Sequence, residues 1–466
     1  MVNELDNNTT YQTAATSLPA SGKRLVILGA GESGIGAALL GKQQGYEIFV
    51  SDGGAIKDLY KQELAVNNIP FEEGHHSWDI VLDAAEIVKS PGIPEKTELM
   101  KKVREKQIPV ISEIELAYRF SKDKKIIAIT GSNGKSTTTA LTYHIFKTAG
   151  LNVAMVGNIG VSYAKQVATA PADYYVIEIS SFQLDDIKEF KPNVAILLNI
   201  TPDHLDRYEY KMENYVASKF RIAMNQTAED YFIYCKDDPE IMKHLEQQPI
   251  FSTTIPFTIM EPLKAGGFIA NDQVNIQVNE EPVIMSIYDL ALKGKHNLYN
   301  SMAAGIAGRT MDIRKEKIRE SLASFKSLEH RMEYVATVRG VDFINDSKAT
   351  NVNSVWFALE SMERPVVLIM GGVDKGNDYG AIRELVKEKV KAIVCLGVDN
   401  SPIQEALSKD TPAMVNTGSM EEAVQAAFQL ATKGDVVLLS PACASFDLFK
   451  NYEDRGRQFK ETVKEL

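Results

Sequence analysis

The chain has 466 residues, 44% hydrophobic and 24% charged, a length that exceeds one core and allows about three domains. Its formal net charge of −11 argues against a broad nucleic-acid surface, which needs a basic stripe, but leaves room for small anionic substrates held by a few Lys/Arg residues and helix ends. No segment approaches the roughly 18 apolar residues of a membrane span.

Residues 1–22 are polar, with Asn7-Asn8-Thr9-Thr10 and no basic, then apolar, leader; they read as a disordered lead-in rather than a signal peptide. The first predicted strand is Arg24–Leu28, followed by Gly29-Ala30-Gly31-Glu32-Ser33-Gly34 and an alanine-rich helix. A second strand, Glu47–Val50, leads into Ser51-Asp52-Gly53. A glycine fingerprint with an acid about 20 residues on usually marks a dinucleotide site, because phosphate sits on the helix N-terminus. A further loop, Val88-Lys89-Ser90-Pro91-Gly92-Ile93-Pro94, falls at the same sheet edge. The helical stretch Ile114–Tyr118 and the charged Lys122-Asp123-Lys124-Lys125 end this segment.

The next segment opens with Ile126–Thr130, then Gly131-Ser132-Asn133-Gly134-Lys135-Ser136-Thr137. Strand, glycine loop and helix start form a phosphate cradle, in which Lys135 can neutralise β/γ-phosphate charge and the Ser136 hydroxyl can ligate Mg²⁺. Ile129 stands where the full Walker pattern has glycine, so the loop is a shorter variant that still reads as an ATP site. This second nucleotide site weakens the NAD or FAD reading of the first loop. Tyr174–Glu178 and Val194–Leu198 are apolar runs typical of buried parallel strands. Glu178, Asn199 and Asn158 fall at strand ends, where open parallel sheets bind ligands. Glu178, His204 and the loop hydroxyl together offer hard oxygen and imidazole ligands suited to Mg²⁺ near ATP. Residues from about 247 to 289 suggest a small antiparallel insert, and a helix follows Gly294-Lys295-His296-Asn297. Asn297 and Asn300 lie one turn apart on one face, so both amides can reach an adenine edge; Asn297 can equally cap its helix.

The last segment, from about Lys326-Ser327-Leu328, has strands at Val341–Asn345, Val366–Met370, Ala392–Leu396 and Val436–Ser440 with helices between. In Gly371-Gly372-Val373-Asp374-Lys375-Gly376 a glycine turn with solvated charges competes evenly with a binding loop. Cys235, Cys395 and Cys443 lie far apart, in or near strands, as buried reduced thiols of a cytoplasmic protein.

These motifs resemble the Mur ligase family, ATP-dependent amide-forming enzymes of peptidoglycan precursor synthesis, over nearly the whole chain beyond the tail. The family-wide marks are Thr130 through Thr137, Glu178-Ile179-Ser180-Ser181-Phe182-Gln183-Leu184, Asp203-His204-Leu205-Asp206, Gly294-Lys295-His296-Asn297 with Asn300, and Glu329-His330-Arg331. The marks of its D-glutamate-adding branch are Asn345-Asp346-Ser347-Lys348-Ala349-Thr350-Asn351 and Ser440-Pro441-Ala442-Cys443-Ala444-Ser445-Phe446-Asp447. The latter runs on through Tyr452, where the family more often has phenylalanine, to Arg455-Gly456. Glu32-Ser33 in the first loop also departs from the family pattern.

The resemblance implies an α/β fold of three consecutive domains. These are a Rossmann-like UDP-substrate domain at 23–121, a P-loop ATP domain with an antiparallel insert at 122–327, and a Rossmann-like amino-acid domain at 328–466. It implies that the carboxylate of UDP-N-acetylmuramoyl-L-alanine attacks the γ-phosphate of ATP, and that D-glutamate's amine attacks the resulting acyl phosphate. Gly131–Thr137, Asn297, Asn300, Arg331 and Asp346 would hold ATP; Ser136 and Glu178 would hold one Mg²⁺ and His204 a second. Lys219 matches the family lysine carried as a carbamate, although by itself it reads as an exposed helix lysine. Gly31, Glu32, Ser33, Gly34, Asp52 and Gly53 would bind the UDP group, with Gly92 and Asn158 along the muramoyl path. Lys348, Thr350, Lys375, Ser445, Phe446 and Tyr452 would orient D-glutamate, Ser445 from near a helix start. The rivals are a folylpolyglutamate-type ligase, a NAD-dependent oxidoreductase and an ATP-gated interaction module. A monomer is expected, because no association helix or exposed apolar repeat stands out.

Overall fold

The apolar runs form three sheets in the computed structural model, which describes residues 23–278, 280–326 and 328–466. The expected lead-in at 1–22 lies outside the described residues. By contacts the chain divides into two compact units. The first runs to Lys122 and takes in Val161–Pro171 and Asp185–Glu189; the second holds the rest.

The first unit contains β1 (Arg24–Leu28), β2 (Glu47–Asp52), β3 (Phe71–Glu73), β4 (Glu86–Lys89) and β5 (Val110–Ile111), all parallel in the order β3-β2-β1-β4-β5. β3 and β5 have too few residues to show a sequence pattern. The helix Glu32–Gln43 follows β1, and the helix Tyr163–Thr169 packs on it through Gly36, where an added Cβ would lie 2.0 Å from Ser162 Oγ.

The second unit holds two sheets. One comprises β6 (Lys125–Thr130), β7 (Val153–Gly157), β8 (Tyr174–Glu178), β9 (Val194–Leu197), β10 (Tyr231–Cys235), β11 (Thr253–Thr258), β12 (Gly266–Ala270), β13 (Gln273–Gln277) and β14 (Val283–Ser286). Its order is β14-β13-β12-β11-β10-β9-β6-β8-β7. The expected antiparallel insert is therefore an extension of the central sheet, and its first strand, β11, runs parallel to β10. The reason is the helix Pro239–Gln247 between them, since a helical crossover returns the chain in the same direction. Within this sheet, among the described residues, only β12–β14 pair antiparallel.

The other sheet comprises β15 (Glu333–Val338), β16 (Val341–Asn345), β17 (Val366–Gly371), β18 (Val390–Leu396), β19 (Met414–Thr417) and β20 (Val436–Ala442), in the order β15-β16-β20-β17-β18-β19. β17 shows why such strands read as unbroken apolar runs. Val366, Leu368 and Met370 pack into one core and Val367 and Ile369 into the other, so helices cover both faces. The three cysteines are buried and free, and burial pushes the Cys235 and Cys395 thiols up to about 12. Among the described residues no helix is long and apolar enough to cross a membrane.

Candidate functional site

The central loop leaves β6 at Thr130 and enters the helix Lys135–Thr148 through Gly134, whose φ of +81° suits glycine. A Cβ there would also lie 2.5 Å from Asn300 Oδ1, so glycine is required twice over. Asn199, at the end of the neighbouring strand, latches the loop. Its Oδ1 accepts from the Asn133 N–H at 2.8 Å and its Nδ2 donates to Asn133 O at 3.0 Å. Ser132 Oγ donates to Thr201 O at 2.9 Å and accepts from the Thr201 N–H at 3.0 Å. Lys135 Nζ folds over the loop, donating to Gly131 O at 2.8 Å and Ser132 O at 2.9 Å.

Glu178 closes β8 next to this loop and is 1% exposed. One carboxylate oxygen accepts from Asn158 Nδ2 at 2.8 Å; the other is buried without a hydrogen-bond partner. Burial works to raise this carboxyl, but Lys135, Arg331 and Lys348 outweigh it and hold it below the usual range, so it is ionised. Arg331 Nη2 donates to Ser136 Oγ at 2.6 Å. A buried, half-satisfied carboxylate beside a serine hydroxyl is a hard-oxygen donor pair, and Mg²⁺ fits it.

His204 sits in a left-handed turn with φ +53°, its ring edge-on to Phe182 at 5.2 Å and 3.6 Å from an Asp203 oxygen. It makes no side-chain cap bond. Burial, with Lys375 and Lys135, lowers its pKa against the pull of Asp203, leaving a neutral ring with the lone pair that a metal needs. Lys219 is not an exposed helix lysine. It is 2% exposed on the helix Met212–Phe220, donates to Gly131 O at 2.9 Å and lies 4.6 Å above the Tyr215 ring. Its nitrogen therefore reaches the same loop as Lys135.

A cavity of about 1000 Å³ adjoins the loop, entirely within the second unit. Asn133, Gly134, Thr137, Asn297, Asn300, Arg331, Asp346 and Lys348 line it. Thr138 Oγ1 donates to Asn300 Oδ1 at 3.1 Å, Asn300 Nδ2 to Asn297 Oδ1 at 3.1 Å, and Asn297 Nδ2 to Lys293 O at 2.8 Å. Asn297 is thus not the helix cap, because Gly294 takes that position. Asp237, Tyr299, Trp356 and Phe357 also line the cavity and escaped the sequence reading. Asp237 lies two residues past the end of β10, as Asn199 does past β9, so the strand-end rule that picked out Glu178 and Asn199 reaches it. The aromatic pair lies on the helix Val352–Glu360, where it reads as ordinary core.

Near the C-terminal sheet, burial pushes Asp346 up to about 7, against the Ser440 hydroxyl and the Met332 N–H that bond it. Lys348 donates to Tyr452 Oη at 3.0 Å, and burial beside Arg331 brings its ammonium down to about 8. The Thr350 N–H bonds Lys348 O at 2.9 Å. The other candidates are more scattered. Lys375 is exposed, and Phe446 is 72% exposed. Ser445 is buried but starts no helix; the chain turns there, and the helix begins only at Tyr452, capped by Asn451. Arg455 was passed over within its own motif. It is 1% exposed and donates to Ser347 Oγ at 3.0 Å, Ser347 O at 2.8 Å and Cys443 O at 3.2 Å, tying two strand-end loops together.

In the first unit, Gly29 has φ +92°, and a Cβ on Gly34 would lie 1.9 Å from Gly29 O. Gly31 caps the helix Glu32–Gln43, Ser33 is half-buried in its first turn, and Glu32 accepts from Tyr60 Oη at 3.3 Å. Gly53 and Gly92 are exposed. Asp52, the acid that suggested a dinucleotide, accepts from the Ala30 N–H at 2.7 Å with one oxygen and from the Gly54 N–H at 2.8 Å with the other. It braces two loops. Asn158 sits on Glu178, which groups it with the phosphate loop.

Three family models match: "Mur ligase MurD-like, N-terminal domain" over residues 23–112, "Mur ligase middle domain" over 129–308 and "Mur ligase, glutamate ligase domain" over 330–443. A UDP-N-acetylmuramoylalanine--D-glutamate ligase of Christiangramia forsetii is 56% identical over 445 residues, covering 96% of this chain and 100% of the relative. One from Bacteroides fragilis is 56% identical over 448 residues, with 95% and 100% covered. Among solved structures, a pseudomurein peptide ligase type C from Methanothermus fervidus aligns with TM-score 0.60 at 20% identity, over 95% of this chain and 99% of that one. A MurF ligase from Thermotoga maritima in complex with ADP aligns at 0.59 and 15%, over 90% and 95%. At these identities the structural likenesses speak for the fold alone.

Proposed function

The chain belongs to the Mur ligase family, and from that premise we propose that it joins D-glutamate to UDP-N-acetylmuramoyl-L-alanine at the expense of ATP, in peptidoglycan precursor synthesis. The observation that carries this reading is the cluster of buried Glu178 and Ser136 with half-buried Lys135, Arg331 and Lys348 beside a nucleotide-sized cavity. Acyl transfer through an acyl phosphate needs alignment and charge neutralisation more than a nucleophilic side chain.

Residues 23–121 are assigned to the UDP-sugar, 122–327 to ATP and 328–466 to the amino acid. The loop N–H groups of 131–137 and the helix N-terminus cradle the phosphates, with Asn297 and Asn300 toward the adenine. Lys135 leaves its two carbonyl partners to meet γ-phosphate oxygens. Arg331 leaves Ser136 in the same way and offers its fork to the transferring group. Ser136, Glu178, His204 and a carbamate on Lys219 would hold two Mg²⁺ ions, whose charge would neutralise the phosphoryl oxygens. Asn158 orients Glu178 for that task. Lys348, steadied by Tyr452, faces a carboxylate of D-glutamate, and Asp346 meets the nucleotide from the same side. The cavity walls exclude water from the acyl phosphate, so the amine competes successfully with hydrolysis. The enzyme works as a cytoplasmic monomer.

Release of ADP and phosphate is measured with UDP-N-acetylmuramoyl-L-alanine and either D-glutamate, L-glutamate, meso-diaminopimelate or L-lysine. Turnover is expected with D-glutamate alone. Equal turnover whichever amino acid is added, or with none, overturns the assignment.

A further inference from the structure

In the first unit, β2 and β3 run side by side and end at Asp52 and Glu73. One residue before that end, Glu72 accepts from Ser51 Oγ at 2.6 Å, from the Ser77 N–H at 2.8 Å and from the Ser77 hydroxyl. Burial works to raise this carboxyl, but the two serine hydroxyls and the N–H hold it below its ordinary range, so it is ionised and has no proton to give. Ser51 has one hydroxyl proton, and Glu72 takes it. His76 Nδ1 lies 2.6 Å from the same Ser51 oxygen, so Nδ1 must carry a proton and donate it. The network thereby fixes the tautomer: in the neutral ring, Nε2 is left with its lone pair. Burial keeps the ring neutral near pH 7, against the pull of Glu72 and Asp52.

That lone pair is displayed over an exposed glycine. A Cβ on Gly53 would lie 3.0 Å from His76 Nε2 and 3.7 Å from Cε1, tighter than ordinary packing. Glycine at 53 leaves the ring edge in place and the space beside it open. The position matters because ligands of parallel sheets lie beyond the strand carboxyl ends. In the strand order β2 and β3 follow β1 toward one edge, so a nucleoside whose diphosphate sat on the N-terminus of the helix Glu32–Gln43 would reach past β2 toward β3. Asp52 lies first on that path but is occupied by two backbone N–H groups. His76 is the next acceptor.

We propose that His76 Nε2 accepts the imide N–H of a uracil base and so selects uridine over cytidine nucleotides. The proposal rests on the reading of this unit as the UDP-binding one. Uracil carries a hydrogen at N3, where cytosine presents a lone pair that would face the His76 lone pair. A site built to pair one hydrogen rejects the analogue lacking it.

The test is calorimetric titration of the full chain with UDP, CDP and N3-methyl-UDP, with melting curves to show that variants are folded. UDP is expected to bind at least about tenfold tighter than the other two. His76→Ala should weaken UDP roughly tenfold and make the three ligands equivalent. His76→Gln, which sets an amide oxygen near the Nε2 position, should keep part of the preference. A folded His76→Ala variant that retains the full preference for UDP overturns the role of His76. Failure of the wild-type chain to bind UDP at all overturns instead the reading on which the proposal rests.

Discussion

The two glycine loops share one scaffold and differ in what surrounds it. Each leaves a parallel strand, turns at a glycine of positive φ and opens a helix, at Gly29–Gly34 and at Gly131–Lys135. Around the second, neighbouring strand ends deliver Glu178 and Asn199, the helix contributes Lys135 and Ser136, and Arg331 arrives from the C-terminal segment. Around the first, Asp52 is spent on the loop backbone. A cradle alone binds phosphate. Chemistry requires cations and an ionised carboxylate beside it, and those come from other elements.

The comparison breaks first at Lys135. Lys135→Ala should cut kcat by roughly 10³-fold, about 4 kcal/mol of transition-state stabilisation, in a phosphate-release assay. A loss below tenfold would make the second loop as passive as the first. Next is Lys219→Ala, expected to lose about 10²-fold or more and to recover part of its activity when a short carboxylic acid is added. Full activity without rescue would remove this lysine from the mechanism. In the first loop the effect should fall on the fold. Gly34→Ala drives a methyl group to 1.9 Å from Gly29 O and should cost ~1–3 kcal/mol in denaturant unfolding. Gly31→Ala meets nothing within 4 Å and should cost less than about 1 kcal/mol.

The last expected effect is one of pH and concerns Asp346. Its folded pKa, about 7, is raised above the ordinary 3.8 by burial. Its contribution to stability is therefore complete below pH 3.8 and is lost as pH climbs through about 7. Asp346→Asn should flatten that loss, narrowing any deficit against wild type by on the order of 1–2 kcal/mol between pH 5 and pH 8. Parallel stability curves for the two proteins across that range would contradict it.

Much of this was legible before any coordinates. Strands such as Val366–Gly371 and Val194–Leu197 are buried on both faces, which writes them as unbroken apolar runs. β3 and β5 were not, because 3 and 2 residues carry no period. The direction of β11 was hidden because a lone strand does not encode its partner. At the site, Lys135, Ser136, Glu178 and Asn199 stand in or beside recognisable strand-end patterns. Lys219 alone reads as a surface residue, and only burial reveals it. Arg455 shows the opposite failure. Its motif was evident, but its work, holding Ser347 and Cys443 by their carbonyls, is invisible without the fold.

The sequence by itself determined the three α/β segments, both phosphate-compatible loops and the family, because periodicity and turn chemistry are local properties of a chain. Tertiary structure alone decided which polar groups meet: Arg331 on Ser136, Asp52 on backbone N–H groups, and His76 on Ser51. Electrostatic character depends on distance and burial, and residues nearly 200 positions apart acquire those only when the strands are placed.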